Sequence, residues 1–466
     1  MGGFFGVASR EDCVADLFYG TDYHSHLGTR RGGLAVAGGS GIARFIHDIT
    51  NAQFRSKFEH DLPKLAGRTG IGVISDSEDQ PLIIGSHLGT FALAMVGVVR
   101  NSLALSRELC RAHGAHFSEM TGSEVNPAEI VAALISREET FEAGIRSAQK
   151  AIEGSCSLLL MTGEGIWAAR DLHGRTPVIL GSSPSGNAVT METCALANIG
   201  FEPVRDLGPG EVVRVTPEGF ETLLPPLDAC RLCAFLWVYY GYPSSSYDGV
   251  NVEEFRYRDG MSLADGDDAS AECVAGIPDS GTSYAVGYSH RKGIPFVRPF
   301  VKYTPTWSRS FMPQSQADRE LVARMKLIPI RELARGRSLL FCDDSIVRGT
   351  QLGDTFGRLY RVGAKEIHLR IACPPLLFGC RFLNFSRSRS DMDLAARRAV
   401  RELEGSGDEV PAAYLSATSA EYAAMTGKIA QSLAITSLRY QTVDGLLEAI
   451  GTPRTRVCTY CWTGRD

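Results

Sequence analysis

Two adjacent carboxylates close the apolar run SLLFCDD. Behind them come Ser345, Ile346, Val347, Arg348, Gly349 and Thr350. Paired acids at a strand end, here Asp343 and Asp344, can hold vicinal hydroxyls or a magnesium ion. A loop that opens a helix offers its unpaired amides to a phosphate. Ser345 and Thr350 add hydroxyl donors, and Gly349 lets the backbone approach a ligand closely. The plain alternative is that the acids only cap the next helix. Diacid, hydroxyls and glycine together favour a sugar-phosphate site.

The cysteines are the second chemical group. There are 12, spread along 466 residues. Cys230 with Cys233, and Cys458 with Cys461, each form C-x-x-C. Two such pairs can make a four-thiolate zinc site, although their separation far exceeds that of a compact zinc ribbon. No basic, apolar export signal opens the sequence, so the cysteines are expected to be reduced thiols or metal ligands in a cytoplasmic protein. Cys273 and Cys342, inside apolar strands, are expected in the core. His24 and His26 stand two apart before a glycine-rich turn and read as surface or packing residues.

The elements that must position these residues follow from periodicity. GIGVIS, PLIIGSH and FALAMVGVV read as strands, and NPAEIVAALI as a helix capped by Asn126 with Pro127 in its first turn. The stretch 156–181 reads as a strand, a turn and two further strands. Pro225 and Pro226 mark a boundary near 225–235. Beyond it, AECVAGIPDSG is a strand entering a loop, TSYAVGYSHRKG a helix, IPFVRPFV a strand, SLLFCDD a buried strand, and EIHLRIAC the strand after the next helix. Strand, loop, helix and strand in this rhythm predict a parallel doubly wound sheet with ligands at its carboxyl edge.

Composition bounds the rest. The chain is 44% apolar and 22% charged with a formal charge of −5, an ordinary globular balance that suits two domains. A mildly acidic total argues against a general nucleic-acid surface. No run of 18 apolar residues predicts a membrane span. The start fails the myristoylation pattern because Gly6 takes the Ser/Thr position.

The Asp343–Thr350 loop resembles the phosphoribosyl pyrophosphate (PRPP) signature of type I phosphoribosyltransferases. VAGIPDSG, PSSSYDG, PQSQADRELVARMKL and VCTYCWTG extend that resemblance, in order, to the amidophosphoribosyltransferase family. It runs over nearly the whole chain, most strongly from about 230 to 380 and at the C-terminus. The family implies an α/β protein in two parts. Residues 1–228 would form an Ntn-hydrolase-type αββα glutaminase-like sandwich, and residues 229–466 a parallel-sheet phosphoribosyltransferase domain.

Several roles follow from the resemblance alone. Asp343 and Asp344 would bind the ribose hydroxyls and Mg²⁺, with Ser280 contacting magnesium or pyrophosphate. Ser345 through Thr350 would cradle the 5′-phosphate. Lys302 and Arg309, in KYTPTWSRSF, would belong to a loop that closes over PRPP; the plain reading is a polar surface loop. Cys233, Cys380, Cys458 and Cys461 would hold a 4Fe–4S cluster, with zinc or unligated thiols as the alternatives. Near the PSS loop the family's Arg and Asp are replaced by Tyr242 and Ser244, and the closing loop is one residue longer and lacks an arginine.

The same alignment strips the glutaminase of its machinery. The nucleophilic cysteine falls on Gly2, the carboxylate-binding arginine on Ser75, the oxyanion asparagine on Val96 beside a retained Gly97, and the amine-binding aspartate on Pro127. Losing one oxyanion donor costs on the order of 10²–10³ in rate, and losing the nucleophile removes the covalent route. Cleavage before Cys13 would expose a new thiol but delete the first strand. The expected activity is therefore transfer of phosphoribose from PRPP to free ammonia, ammonia from a partner protein, or another amine, by a cytoplasmic homo-oligomer. The alternative is a PRPP- or nucleotide-sensing regulator or scaffold without turnover.

Overall fold

The computed structural model describes residues 2–76, 78–121, 124–302, 327–383, 390–405 and 409–466. The first half is built on Gly3–Ser9, whose seven residues are all buried. Total burial arises because this strand is central in its sheet and covered on both faces. It pairs antiparallel with Thr69–Ser75 on one side and Gly186–Thr190 on the other. The full sheet has seven strands, running from Glu202–Asp206 at one edge through Ile179–Ser183, Gly186–Thr190, Gly3–Ser9, Thr69–Ser75 and Arg31–Gly38 to Gly41–Asp48.

A second antiparallel sheet holds six strands in the order Gly219–Leu224, Val212–Thr216, Gly165–Ala169, Gly154–Thr162, Gly89–Val99 and Leu82–Ser86. The helix Val14–Asp22 packs on the first sheet, and Pro127–Ile135 on the second. The result is an αββα sandwich. Asn126 caps its helix as the sequence predicts, accepting the Ala128 amide at 2.9 Å.

The second half carries a four-stranded, all-parallel sheet in the order Cys273–Gly276, Ser338–Asp343, Glu366–Ile371 and Ser437–Tyr440. Every residue of Ser338–Asp343 is buried, as expected of a parallel strand with both faces covered. Cys273 and Cys342 lie in this core.

IPFVRPFV does not form the continuous strand its composition predicts. Phe296 makes an isolated parallel bridge to Val274, and only Phe300–Lys302 is a strand, paired with Leu327–Pro329. Pro295 and Pro299 explain the break: each lacks an N–H, and only their carbonyls join the pairing, to Val274 and Ile330.

A short parallel ribbon joins Leu232–Cys233 to Val457–Cys458, so the last residues of the chain return to the start of this half. No helix among the described residues is long and apolar enough to cross a membrane.

Candidate active site

The Ser338–Asp343 strand delivers its last side chain, and that of Asp344, to the carboxyl edge of the parallel sheet. Both carboxylates are buried. Asp343 Oδ1 accepts the Ser280 hydroxyl at 3.2 Å and the Asp344 amide at 3.0 Å, and Asp344 Oδ1 accepts the Ser345 hydroxyl at 2.5 Å. Burial and the neighbouring Asp344 charge push the Asp343 carboxyl well above the carboxylate range. Burial also raises Asp344, opposed by the Ser280 and Ser345 hydroxyls and by the positive charge of Arg256. Two buried acids that repel each other form a site for a cation or for donor hydroxyls.

The loop after them is shaped to receive an anion. Ile346 is buried and anchors it, and the Val347 carbonyl accepts the Ala395 amide at 2.7 Å. Gly349 has φ = +77°, a left-handed conformation that favours glycine, and opens the helix Thr350–Arg361. The amides of Ile346, Gly349 and Thr350 donate to no group among the described residues, leaving a helix N-terminus free to face a phosphate. Arg348 pairs with Asp393 at 3.2 Å. Lys302 is exposed and pairs with Asp279 at 2.5 Å, immediately before Ser280. Thus Ser280, Lys302, Asp343, Asp344 and the Ser345–Thr350 loop come together, while Arg309 lies outside the described residues.

Cys233 is the register partner of Cys458 in the ribbon. Cys461 sits one turn further, on Tyr460–Thr463, and contacts Cys380. Cys380 Sγ accepts the amides of Phe382 at 3.4 Å and Leu383 at 3.3 Å. The hydrogen bond with Cys461 and these two amides lower the Cys380 thiol to about 7, against the effect of burial. Burial raises Cys458 to about 11 and pushes Cys233 up, the Cys380 hydrogen bond and then burial push Cys461 up, and the four thiols feel each other's charge. Arg175, over the Phe382 ring at 3.5 Å, favours the thiolate form of Cys233, Cys380 and Cys458. Among the described residues no three such side chains converge on one point that a single metal ion could occupy. A neighbourhood of four thiols with amide donors and a cation fits a thiolate-bound cluster, whose body is larger than one ion.

A further pocket lies in the αββα half. Gly2, Ser75, Val96 and Gly97 line one cavity of about 20 Å³, room for a single water. Ser75 Oγ donates to Glu78 at 2.9 Å, and Gln80 Oε1 accepts the Met95 amide at 2.7 Å, so Glu78 and Gln80 are fixed in the cavity wall. A Cβ at Gly2 would fall 2.4 Å from the Ile74 carbonyl oxygen. Pro127 does not line this cavity; it starts its helix beside Asn126, which donates to the Asp79 carbonyl at 3.0 Å. Cys13 is buried, and burial raises its thiol to about 12. Cleavage ahead of it would remove the central strand Gly3–Ser9. His24 is a packing residue, bonded to the Gly20 carbonyl and Thr190 hydroxyl; His26 pairs with Glu192 and leans on Tyr242.

Sequence reasoning missed Asp279, Arg175, Arg256, Glu78 and Gln80. Only Arg256 left a signal: it lies on the inward face of VEEFRYRDGMSLA, in line with Val252 and Asp259, where an apolar residue is expected.

Residues 67–197 match the family model described as a glutamine amidotransferase domain. The amidophosphoribosyltransferase of Methanocaldococcus jannaschii is 30% identical, covering 100% of this chain and 97% of that protein. The enzyme of the same name from Synechococcus elongatus is also 30% identical, over 100% and 90%. A solved glutamine PRPP amidotransferase from B. subtilis, complexed with ADP and GMP, superposes with a TM-score of 0.83 at 28% identity, over 99% of this chain and 96% of that one. A solved structure described as the allosteric regulatory enzyme of purine biosynthesis gives 0.84 at 26%, over 99% and 95%. Identity sustained from end to end, on the same two-part architecture, places this chain in the amidophosphoribosyltransferase family, as an enzyme of the phosphoribosyltransferase class.

Proposed function

We propose that the protein transfers phosphoribose from PRPP to ammonia, free or supplied by a partner protein, or to another amine, without a working glutaminase. Residues 229–466 would carry the transfer, and residues 1–228 would keep the amidotransferase fold without its chemistry. The buried Asp343–Asp344 pair beside a loop of free amides carries this reading. The carboxylates would accept the ribose 2- and 3-hydroxyls, and the Ile346–Thr350 amides the 5′-phosphate. Nitrogen would attack C1 as the bond from C1 to pyrophosphate breaks. Mg²⁺ bound near Ser280 and the diacid would supply positive charge to the departing pyrophosphate. Lys302 and Arg309 would neutralise the same charge and exclude water as their loop closes.

The cysteine foursome is proposed to hold a 4Fe–4S cluster rather than zinc, tying the C-terminal tail to the ribbon. A homo-oligomeric, cytoplasmic enzyme accords with this reading. The test mixes the protein with PRPP, Mg²⁺ and ammonium and follows pyrophosphate. Release that depends on ammonium supports transfer. Tight PRPP binding without release would replace it with a sensor or scaffold.

A further inference from the structure

Ala143, Arg146, Ser147 and Lys150 stand at i, i+3, i+4 and i+7 of the helix Phe141–Ala151, on one face of it. That face lines an open groove of about 560 Å³. Leu224, which ends the strand Gly219–Leu224, the linker 225–227 into the second half, and Glu138 complete the lining. Small-molecule sites span about 300–1,000 Å³.

The groove is held in shape from both sides. The Leu227 amide donates to the Pro209 carbonyl at 2.7 Å. Pro226 lies against Gly208, where a Cβ would fall 2.4 Å from the proline's own Cβ. Arg146 is tied to the same turn, its Nη2 donating to the Gly210 carbonyl at 2.6 Å.

The positive charge in this lining is unanswered. Arg146 Nε is buried and donates to no acceptor among the described residues. The one described hydrogen bond of this guanidinium goes to a carbonyl, and none goes to a carboxylate. Burial lowers its pKa from the ordinary guanidinium value, with no carboxylate opposing the shift. Lys150, one turn on, is exposed and forms no ion pair among the described residues. A guanidinium that has lost water without gaining an acceptor is stabilised by an anion. Apolar surface lies in the same groove: Leu227 is 41% exposed, and Pro225 and Pro226 are exposed beside it.

We propose that this groove is a binding site for a small organic oxyanion, a carboxylate or phosphate carried on an apolar body. Arg146 and Lys150 receive the charged end, and Leu224, Pro226 and Leu227 the body. Glu138 adds one opposing negative charge to the lining. None of the residues proposed to hold PRPP takes part, so the site stands or falls apart from that reading.

The experiment titrates the full chain with phenylacetate, phenyl phosphate and inorganic phosphate by calorimetry, in the wild type, R146Q, K150Q and E138Q. The two aryl probes distinguish a carboxylate from a phosphate ligand, and at least one should bind saturably. It should bind about tenfold more tightly than inorganic phosphate, which has no apolar body. R146Q should weaken it about tenfold. K150Q should weaken it about threefold and E138Q tighten it about twofold. Should R146Q not fold, K150Q and E138Q decide by their opposite signs. No saturable binding of either aryl probe overturns the proposal. So does binding that R146Q and K150Q leave unchanged, which places the probe elsewhere, or inorganic phosphate binding as tightly as the aryl probes.

Discussion

The Ser280 hydroxyl donates to Asp343 Oδ1 at 3.2 Å, across 63 positions of sequence. That bond joins the ends of two neighbouring parallel strands, Cys273–Gly276 and Ser338–Asp343. The candidate site thus stands at the carboxyl edge of the sheet, where doubly wound folds place their ligands.

Replacing Asp343 or Asp344 by Asn should separate binding from stability. Each change removes one of two buried, mutually repelling charges. PRPP-dependent pyrophosphate release should fall on the order of a hundredfold, while the ligand-free melting temperature holds or rises. The pH dependence has a definite sign. Both folded carboxyls are raised, so the contribution of this pair to stability is present at low pH and is lost as pH rises through the raised values. Melting of the ligand-free wild type against D343N between pH 5 and 8 checks this: the advantage of D343N should grow with pH.

Restoring a cysteine at position 2 should not restore a glutaminase. Its Cβ would press on the Ile74 carbonyl oxygen at 2.4 Å, in a cavity of about 20 Å³. G2C should destabilise by about 1–3 kcal/mol and release no glutamate from glutamine. Thermal melting and a glutamate assay decide the point.

Protein purified without oxygen should absorb broadly near about 400 nm and contain iron and sulfide. Substituting Cys233, Cys380, Cys458 or Cys461 by Ser should abolish both signals, whereas Cys230→Ser should leave them. Zinc with no such absorbance would replace the cluster by a different metal centre.

Asp267 and Arg370 form a buried ion pair, with the Tyr288 hydroxyl on Asp267 Oδ2 at 2.6 Å. Despite burial, the bonds from Arg370 and Tyr288 hold the Asp267 carboxyl down to about 2. D267A leaves Arg370 buried and unpaired and should cost about 3–5 kcal/mol in chemical unfolding. In the wild type the contribution is present above the ordinary carboxylate pKa and is lost as pH falls toward about 2.

Much of this site was legible because its residues are consecutive. Asp343 through Thr350 form one strand end, one turn and one helix start, and local pattern suffices for that. The strand expected at IPFVRPFV failed because Pro295 and Pro299 withhold the N–H groups a ladder needs. Arg256 stayed hidden because only folding reveals which carbonyls a buried arginine binds. The lining of the αββα cavity by Glu78 and Gln80 has no spacing signature either. Cys380 could be chosen over Cys230 only by resemblance; the structure sets Cys380 against Cys461.

The proposed division between a working half and an inert half is tested most directly by the origin of the product nitrogen. The enzyme is given PRPP and Mg²⁺ with either nitrogen-15 ammonium or glutamine labelled in its amide, and the phosphoribosyl product is analysed by mass. The account predicts label from ammonium and none from glutamine. Label carried from the glutamine amide by the purified chain would contradict it.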